Sequence, residues 1–237
     1  MKTSMNKTLK ATVVALSALF VPLIGMAQDT FEVSVGADVV SKYIWRGFDQ
    51  DSGASIQPSL GMAYKGFSLT AWGSTSITDL EPKEIDITLG YTIGGLSLSV
   101  TDYWWAGESQ AYGNYKNSHY FEGAASYCFG EKLPLTLSVA TMFAGGDRNE
   151  EGKQCYSTYF SAEYDIACPA DITLTPSIGA TTASYLHTGE RVKGLTDLSL
   201  KASKELKITN SFALPVFVQV TASPVNDKVY MVFGLTL

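Results

Sequence analysis

Positive charge is scarce in this chain. Its 237 residues hold 17 Lys and Arg against 23 Asp and Glu, a formal net charge of −6 at pH 7. So acidic a balance argues against nucleic acid as a partner. Histidine is nearly missing, with only His119 and His187. A serine hydrolase needs a base beside its nucleophile, usually His, and no Gly-x-Ser-x-Gly motif accompanies either residue. Loop histidines are usually solvated bystanders, so a barrel lipase or protease stands as the weakest rival reading. Cysteine is sparse and odd in number: Cys128, Cys155 and Cys168. No C-x-x-C or Cys/His spacing points to a metal, and at least one thiol stays free or pairs with another molecule. No catalytic, cofactor or metal site is expected.

Long apolar runs are missing too, except at the start. Lys2, Lys7 and Lys10 precede an apolar run from Ala11 to Ile24, and Gly25-Met26-Ala27 offers the small residues a signal peptidase reads. This pattern predicts a signal peptide over 1–27, cleaved after Ala27. The run is short of the roughly 20 residues a spanning helix needs, and Gln28-Asp29-Thr30 follow at once. Without the three leader lysines the formal charge of −6 becomes −9. After Gln28 no run can form a spanning helix, which excludes a helical membrane protein. No Pro/Ser-rich linker divides 28–237, so one domain is expected there.

What the chain has instead is alternation. Phe31, Val33, Val35, Ala37, Val39, Tyr43 and Trp45 fall in one phase, and Glu32, Ser34, Gly36, Asp38, Lys42 and Arg46 in the other. Strand side chains alternate between faces, so Phe31 to Gly47 reads as one long strand, greasy on one side and wet on the other. A strand in a soluble domain usually stops after about 5–6 residues, whereas crossing hydrocarbon takes roughly 9–11.

The pattern recurs along the chain. Ile56, Leu60, Met62 and Tyr64 oppose Ser55, Gln57 and Ser59. Ile85, Ile87, Leu89 and Tyr91 oppose Glu84, Asp86 and Thr88, and Gly94-Gly95 then makes a hairpin to Leu96, Leu98 and Val100. Further strands are expected at Phe121–Phe129, Leu135–Phe143, Tyr156–Ile166, Ile172–Ala180, Thr196–Ala202, Ile208–Val220 and Lys228–Leu237. Pro215 makes the Ile208 strand the weakest, since proline cannot donate to the ladder. Short turns (Lys65-Gly66, Gly94-Gly95, Gly130–Pro134, Ala167–Ala170, Ser203–Glu205) take turns with longer polar loops (Asp79–Lys83, Ala106–Asn117, Gly145–Gln154, Tyr185–Lys193). About twelve antiparallel strands with loops sorted this way predict an all-β, up-and-down transmembrane barrel of the outer-membrane kind. The last strand, pointing Val229, Met231, Phe233, Leu235 and Leu237 one way, is expected to close against the first and abolish the sheet edges.

Four matching stretches carry a family resemblance: Ser41-Lys42-Tyr43-Ile44-Trp45-Arg46-Gly47, Ser55-Ile56-Gln57-Pro58-Ser59-Leu60, Gly66-Phe67 through Ala71-Trp72-Gly73-Ser74, and Glu84 to Tyr91. In order and spacing this third of the chain resembles the TorF-type porin family of exported Gram-negative proteins, also called Gcw_chp. The resemblance implies an outer-membrane β-barrel that passes small solutes and names no substrate. Such a barrel would meet outer-membrane lipid, small solutes or ions, and the barrel-assembly machinery.

If the wet face lines a lumen, its acids are Glu32, Asp38, Glu84, Asp86, Asp102, Glu122, Glu163, Asp165 and Asp197, and its bases only Lys42, Arg46 and Lys201. Gln57 and Trp72 share that face. Rings of carboxylates favour cations, so an open pore should prefer cations or neutral solutes. Against this, the charges could pair across the lumen and fill it: about eight strands enclose only side chains and sixteen leave a channel, with twelve between. A narrow passive channel is the leading expectation, and a non-conducting structural or surface-interaction barrel is the alternative. The paired carboxylates Glu84/Asp86 and Glu163/Asp165 read as the wet side of strands rather than as catalysts. Trp45, Trp72, Trp104 and Trp105 are expected mostly in the aromatic girdles at the bilayer interfaces, with Trp72 the one that could touch a solute. The acidic loop Asp147–Gly152 misses the Ca²⁺-loop pattern and is expected to be solvated.

Overall fold

The computed structural model describes residues 30–50, 53–78, 84–105, 111–115, 118–184 and 191–237. The leader over 1–27 lies outside the described residues, as do His187 and much of the loops over 79–83, 106–117 and 185–190.

Twelve strands form a closed antiparallel wall. In chain order they are β1 (Glu32–Val40), β4 (Ser55–Tyr64), β5 (Phe67–Ser76), β6 (Glu84–Ile93), β7 (Leu96–Trp105), β8 (His119–Cys128), β9 (Leu135–Gly145), β10 (Thr158–Tyr164), β12 (Ile172–Ser184), β13 (Val192–Lys207), β14 (Ala213–Ser223) and β15 (Lys228–Thr236). A three-residue strand, β11 (Ile166–Cys168), extends the β10 position against β12. The remaining two, β2 (Ile44–Trp45) and β3 (Phe48–Asp49), pair only with each other. Each wall strand pairs with its sequence neighbours, and β1 joins β15 through Asp38↔Thr236 to Val40↔Gly234. Closure of this kind leaves no long unpaired edge to aggregate.

The period-2 pattern sets the two faces. Val33, Leu60, Leu69, Leu89, Leu98, Val100, Leu137, Phe160, Ile178, Leu198, Val220, Met231 and Phe233 are all exposed on the outside, with Val35 at 79%. A soluble monomer rarely shows a contiguous apolar patch beyond a few hundred Å². A belt that runs round the whole wall fits hydrocarbon instead of water. Inside, serines and threonines dominate and meet across strands, as in Thr88–Thr101, Thr92–Ser97 and Ser199–Thr221.

The structure corrects three strand expectations. β1 stops at Val40, and the chain turns inward where a continuous strand to Gly47 was expected. β13 runs through the expected Ser203–Glu205 turn to Lys207, because Ser203, Lys204 and Glu205 pair with Phe217, Val216 and Pro215. The reversal comes at 208–212, closed by Ile208 N–H to the Phe212 carbonyl, so β14 begins at Ala213 and keeps Pro215 near its start. Proline is tolerated there at little cost to the ladder.

Candidate functional site

The segment after β1 enters the barrel. Ser41 pins it at the rim, its N–H donating to the Phe233 carbonyl at 2.8 Å while its Oγ accepts from Phe233 N–H at 2.9 Å. From Tyr43 to Gln50 the chain forms a small hairpin, with Gln50 N–H on the Tyr43 carbonyl and Ile44↔Asp49 and Trp45↔Phe48 facing each other. Lys42 and Asp49 form an ion pair across its base. Lys42 therefore sits on the inserted segment and not on the wall, where the sequence reading had placed it.

Arg46 and Gly47 are the two turn residues, with φ of 51° and 84°. Positive φ at both central positions is the two-residue hairpin turn whose twist matches its strands, and it usually carries Asn-Gly or Asp-Gly. An arginine in that region gives up roughly 1–2 kcal/mol of backbone energy, so its side chain must recover it. Gly47 has no substitute: a Cβ there would run into the Thr196 carbonyl, and Asn226 Nδ2 already donates to the Gly47 carbonyl at 3.1 Å.

The Arg46 guanidinium is buried and makes two parallel bonds to Glu122 of β8, Nη1 to Oε2 at 2.7 Å and Nη2 to Oε1 at 2.9 Å. This fork-on-carboxylate geometry is the strong form of the ion pair. The rings of Trp45 and Tyr159 lie 4.4 and 4.5 Å from its charged carbon. The partners are themselves held. Tyr103 donates to Glu122 Oε1 at 3.0 Å, and Tyr159 donates to Asp197, which also accepts from Thr196 Oγ1 at 3.0 Å. Residues from β7, β8, β10 and β13 thus meet on the tip of one hairpin.

The inserted hairpin divides the lumen. On one side Tyr43 and Trp45, the latter 1% exposed, pack with Tyr103 and Met142 and against Trp72, Trp105 and Tyr120. Tyr103 and Trp105 stack at 5.2 Å, and Trp72 meets Tyr43 edge-on at 5.6 Å. Trp45, Trp72 and Trp105 are therefore lumen residues and not part of an interfacial girdle. Trp104 does face outward, though it is buried and lies against Tyr112.

Glu84 and Asp86 lie on the inward face of β6 beside this aromatic cluster, 3% and 5% exposed. Trp105 is the cross-strand partner of Glu84, and Trp72 that of Asp86. Among the described residues, Glu84 Oε1 and Asp86 Oδ1 lack hydrogen-bond partners. Two neighbouring buried carboxylates, each with one oxygen left unsatisfied, are expensive when both are charged. This is a stressed corner of the barrel.

On the other side of the hairpin the wall is hydroxylated and wetter. A cavity of about 40 Å³ is lined by Arg46, Tyr159, Ser161, Glu163, Thr175, Ser177, Ser199, Lys201, Gln219 and Thr221 among others. At roughly 10–15 Å³ per water position it has room for a few waters. Asp165 accepts from Thr175 Oγ1 at 2.7 Å, and Lys201 is Thr175's cross-strand partner.

Of the remaining expected lumen residues, Gln57 donates to Ser74 Oγ at 3.4 Å and Asp38 accepts from Thr236 Oγ1 at 2.7 Å. Glu32 pairs with Ala63 at the far end of β1. Asp102 is a correction. It shares the outward phase of Leu98 and Val100 and accepts from His119 Nδ1 at 2.7 Å. His119 is fully buried, its Nε2 lies 2.5 Å from the Tyr112 carbonyl, and Tyr115 stacks on it at 3.9 Å. It is no solvated bystander, and both ring nitrogens are committed. The loop at 147 also differs from expectation: Asp147 is buried and accepts from Ser157 N–H and Oγ at 2.8 and 2.6 Å.

Among solved structures the chain is similar to the KdgM porin, at 9% identity and a TM-score of 0.48, covering 85% of this chain and 96% of that one. The NanC porin gives 6% identity and 0.49, with 86% and 98% covered. OccK5 (OpdH) of Pseudomonas aeruginosa gives 10% and 0.37, with 87% and 66% covered. No curated protein matches the chain. A family model described as bacterial protein of unknown function (Gcw_chp) matches residues 25–228. The chain belongs to that family.

Proposed function

We propose that this protein is an exported outer-membrane channel of porin type, narrow at rest, that passes small cationic or neutral solutes passively. The observation that carries the reading is a closed twelve-strand wall whose outward face is an apolar belt and whose inward face is polar and acidic. Glu32, Asp38, Glu84, Asp86, Glu122, Glu163, Asp165 and Asp197 lie on the inward phase, against Lys201 of the wall and Arg46 of the hairpin. Such a lining favours cations. In this reading the leader over 1–27 is removed after Ala27, and 28–237 is inserted by the barrel-assembly machinery. No catalytic step and no cofactor are involved.

The inserted hairpin supports a second reading, a barrel that does not conduct and acts through its external loops. Conductance in a planar bilayer across a salt gradient separates the two. The channel reading predicts small steps with a cation-biased reversal potential. A folded, heat-modifiable barrel that never conducts, with or without the hairpin, would establish the second reading.

A further inference from the structure

We propose that the pocket holding Arg46 is a guanidinium-recognition site of the lumen, filled at rest by the chain's own arginine, and that its free ligands are small guanidinium cations. The inference deepens the channel reading by naming a solute class.

The site is built mostly from the wall. Glu122, Tyr103, Tyr159 and Asp197 belong to β8, β7, β10 and β13, and only Trp45 and Arg46 come from the hairpin. Each wall group is oriented by another: Tyr103 bonds one oxygen of Glu122, and Asp197 takes the Tyr159 hydroxyl. Removing the Arg46 side chain would leave a carboxylate with two aligned oxygens beside an aromatic face. That combination selects a flat, delocalised cation. A guanidinium matches two carboxylate oxygens at once and stacks on a ring, whereas an ammonium is a compact, strongly hydrated point charge that does neither well.

Two further observations separate the pocket from an ordinary structural ion pair. Arg46 reaches it from a left-handed backbone conformation that arginine seldom adopts, so the turn is shaped around delivery of the side chain. Arg46, Tyr159 and Asp197 also line the water-sized cavity shared with Ser161, Glu163, Ser199 and Lys201, so the pocket borders the wet side of the lumen. The tethered arginine acts at an effective concentration in the millimolar range or above, so dilute free guanidinium compounds cannot displace it from the intact protein.

The test is chemical rescue in the full mature barrel in detergent, read by the temperature at which the heat-modifiable gel shift is lost. Arg46→Ala should melt earlier than wild type. Methylguanidinium at low millimolar concentration should return most of that loss saturably, while methylammonium should return little and wild type should respond to neither. Adding Glu122→Gln to Arg46→Ala should abolish the rescue. If Arg46→Ala does not fold, Arg46→Gln is used, with the same expected pattern. Equal responses to the two cations, or no response to either, would overturn the inference and leave Arg46 a structural clasp only. The melting readout needs no conductance, so failure of the channel reading leaves it intact. Where the variant conducts, block of its current by methylguanidinium and not by methylammonium is the matching result, and equal block by both counts against the site.

Discussion

The two sides of the lumen are made by the same rule and end differently. Along β5 to β9 the inward positions include Trp72, Tyr103, Trp105, Tyr120 and Met142, and the hairpin packs them dry. Along β10 to β14 they are Ser161, Thr175, Ser177, Ser199, Gln219 and Thr221, and space for water remains. Alternation decides which side chains face inward, but their size decides whether the interior closes. Twelve strands leave a bore intermediate between filled and open, so side-chain volume on the inward face is enough to settle it. The hairpin lies along the boundary, greasy toward one side and cationic at its tip.

If the dry side is held shut from the tip, breaking the clasp should have the largest effect. Glu122→Ala leaves the Arg46 guanidinium buried without its carboxylate, and loss of one partner of a buried pair costs about 3–5 kcal/mol. A marked fall in the midpoint of urea unfolding of the detergent-solubilised barrel is the expected result, together with larger conductance steps. Gly47→Ala comes next. Its Cβ would press on the Thr196 carbonyl at a positive φ, so the hairpin should be displaced at a cost of about 1–3 kcal/mol. Noisier, larger currents would report it.

Trp105→Phe probes the dry side alone. It keeps a ring against Tyr103 and removes the indole N–H beside Glu84, its cross-strand partner, so stability should change by less than about 1.5 kcal/mol. Smallest in stability terms is Lys201→Gln on the wet side. It removes a positive charge beside Glu163 and Thr175, and it should sharpen the cation bias of the reversal potential while barely moving the melting temperature. A shift toward anions would break the comparison, because it would put the selective charges elsewhere.

The wall was legible from the sequence because a period of two is a geometric property of every strand, and the hairpin hid for the same reason. Tyr43 and Trp45 keep the phase of Val33 and Val35, since a hairpin inside the lumen alternates just as a wall strand does. The break showed only locally: Ser41 interrupts the apolar face, and Arg46-Gly47 between Trp45 and Phe48 is a two-residue turn without the Asn or Asp that normally marks one. Asp102 was misplaced by letting its charge outweigh its phase, which follows Leu98 and Val100 to the outside. Its partner explains the exception, since His119 across the ladder hydrogen-bonds it at 2.7 Å beneath Tyr112 and Tyr115. Trp105 was the converse error, an aromatic assigned to the outer girdle although it follows Thr101 and Tyr103 inward. The clasp itself could not be read, because Arg46 and Glu122 lie 76 residues apart and only closure of the barrel brings them together.

The central claim is that the inserted hairpin, clasped at Arg46, sets the size of the channel. Single-channel conductance of wild type beside a chain with residues 44–49 replaced by a Gly/Ser linker tests it most directly. The account predicts a severalfold larger, still cation-biased conductance for the replacement, with the same heat-modifiable fold. Equal conductance in the two proteins would show that the constriction lies elsewhere and would contradict it.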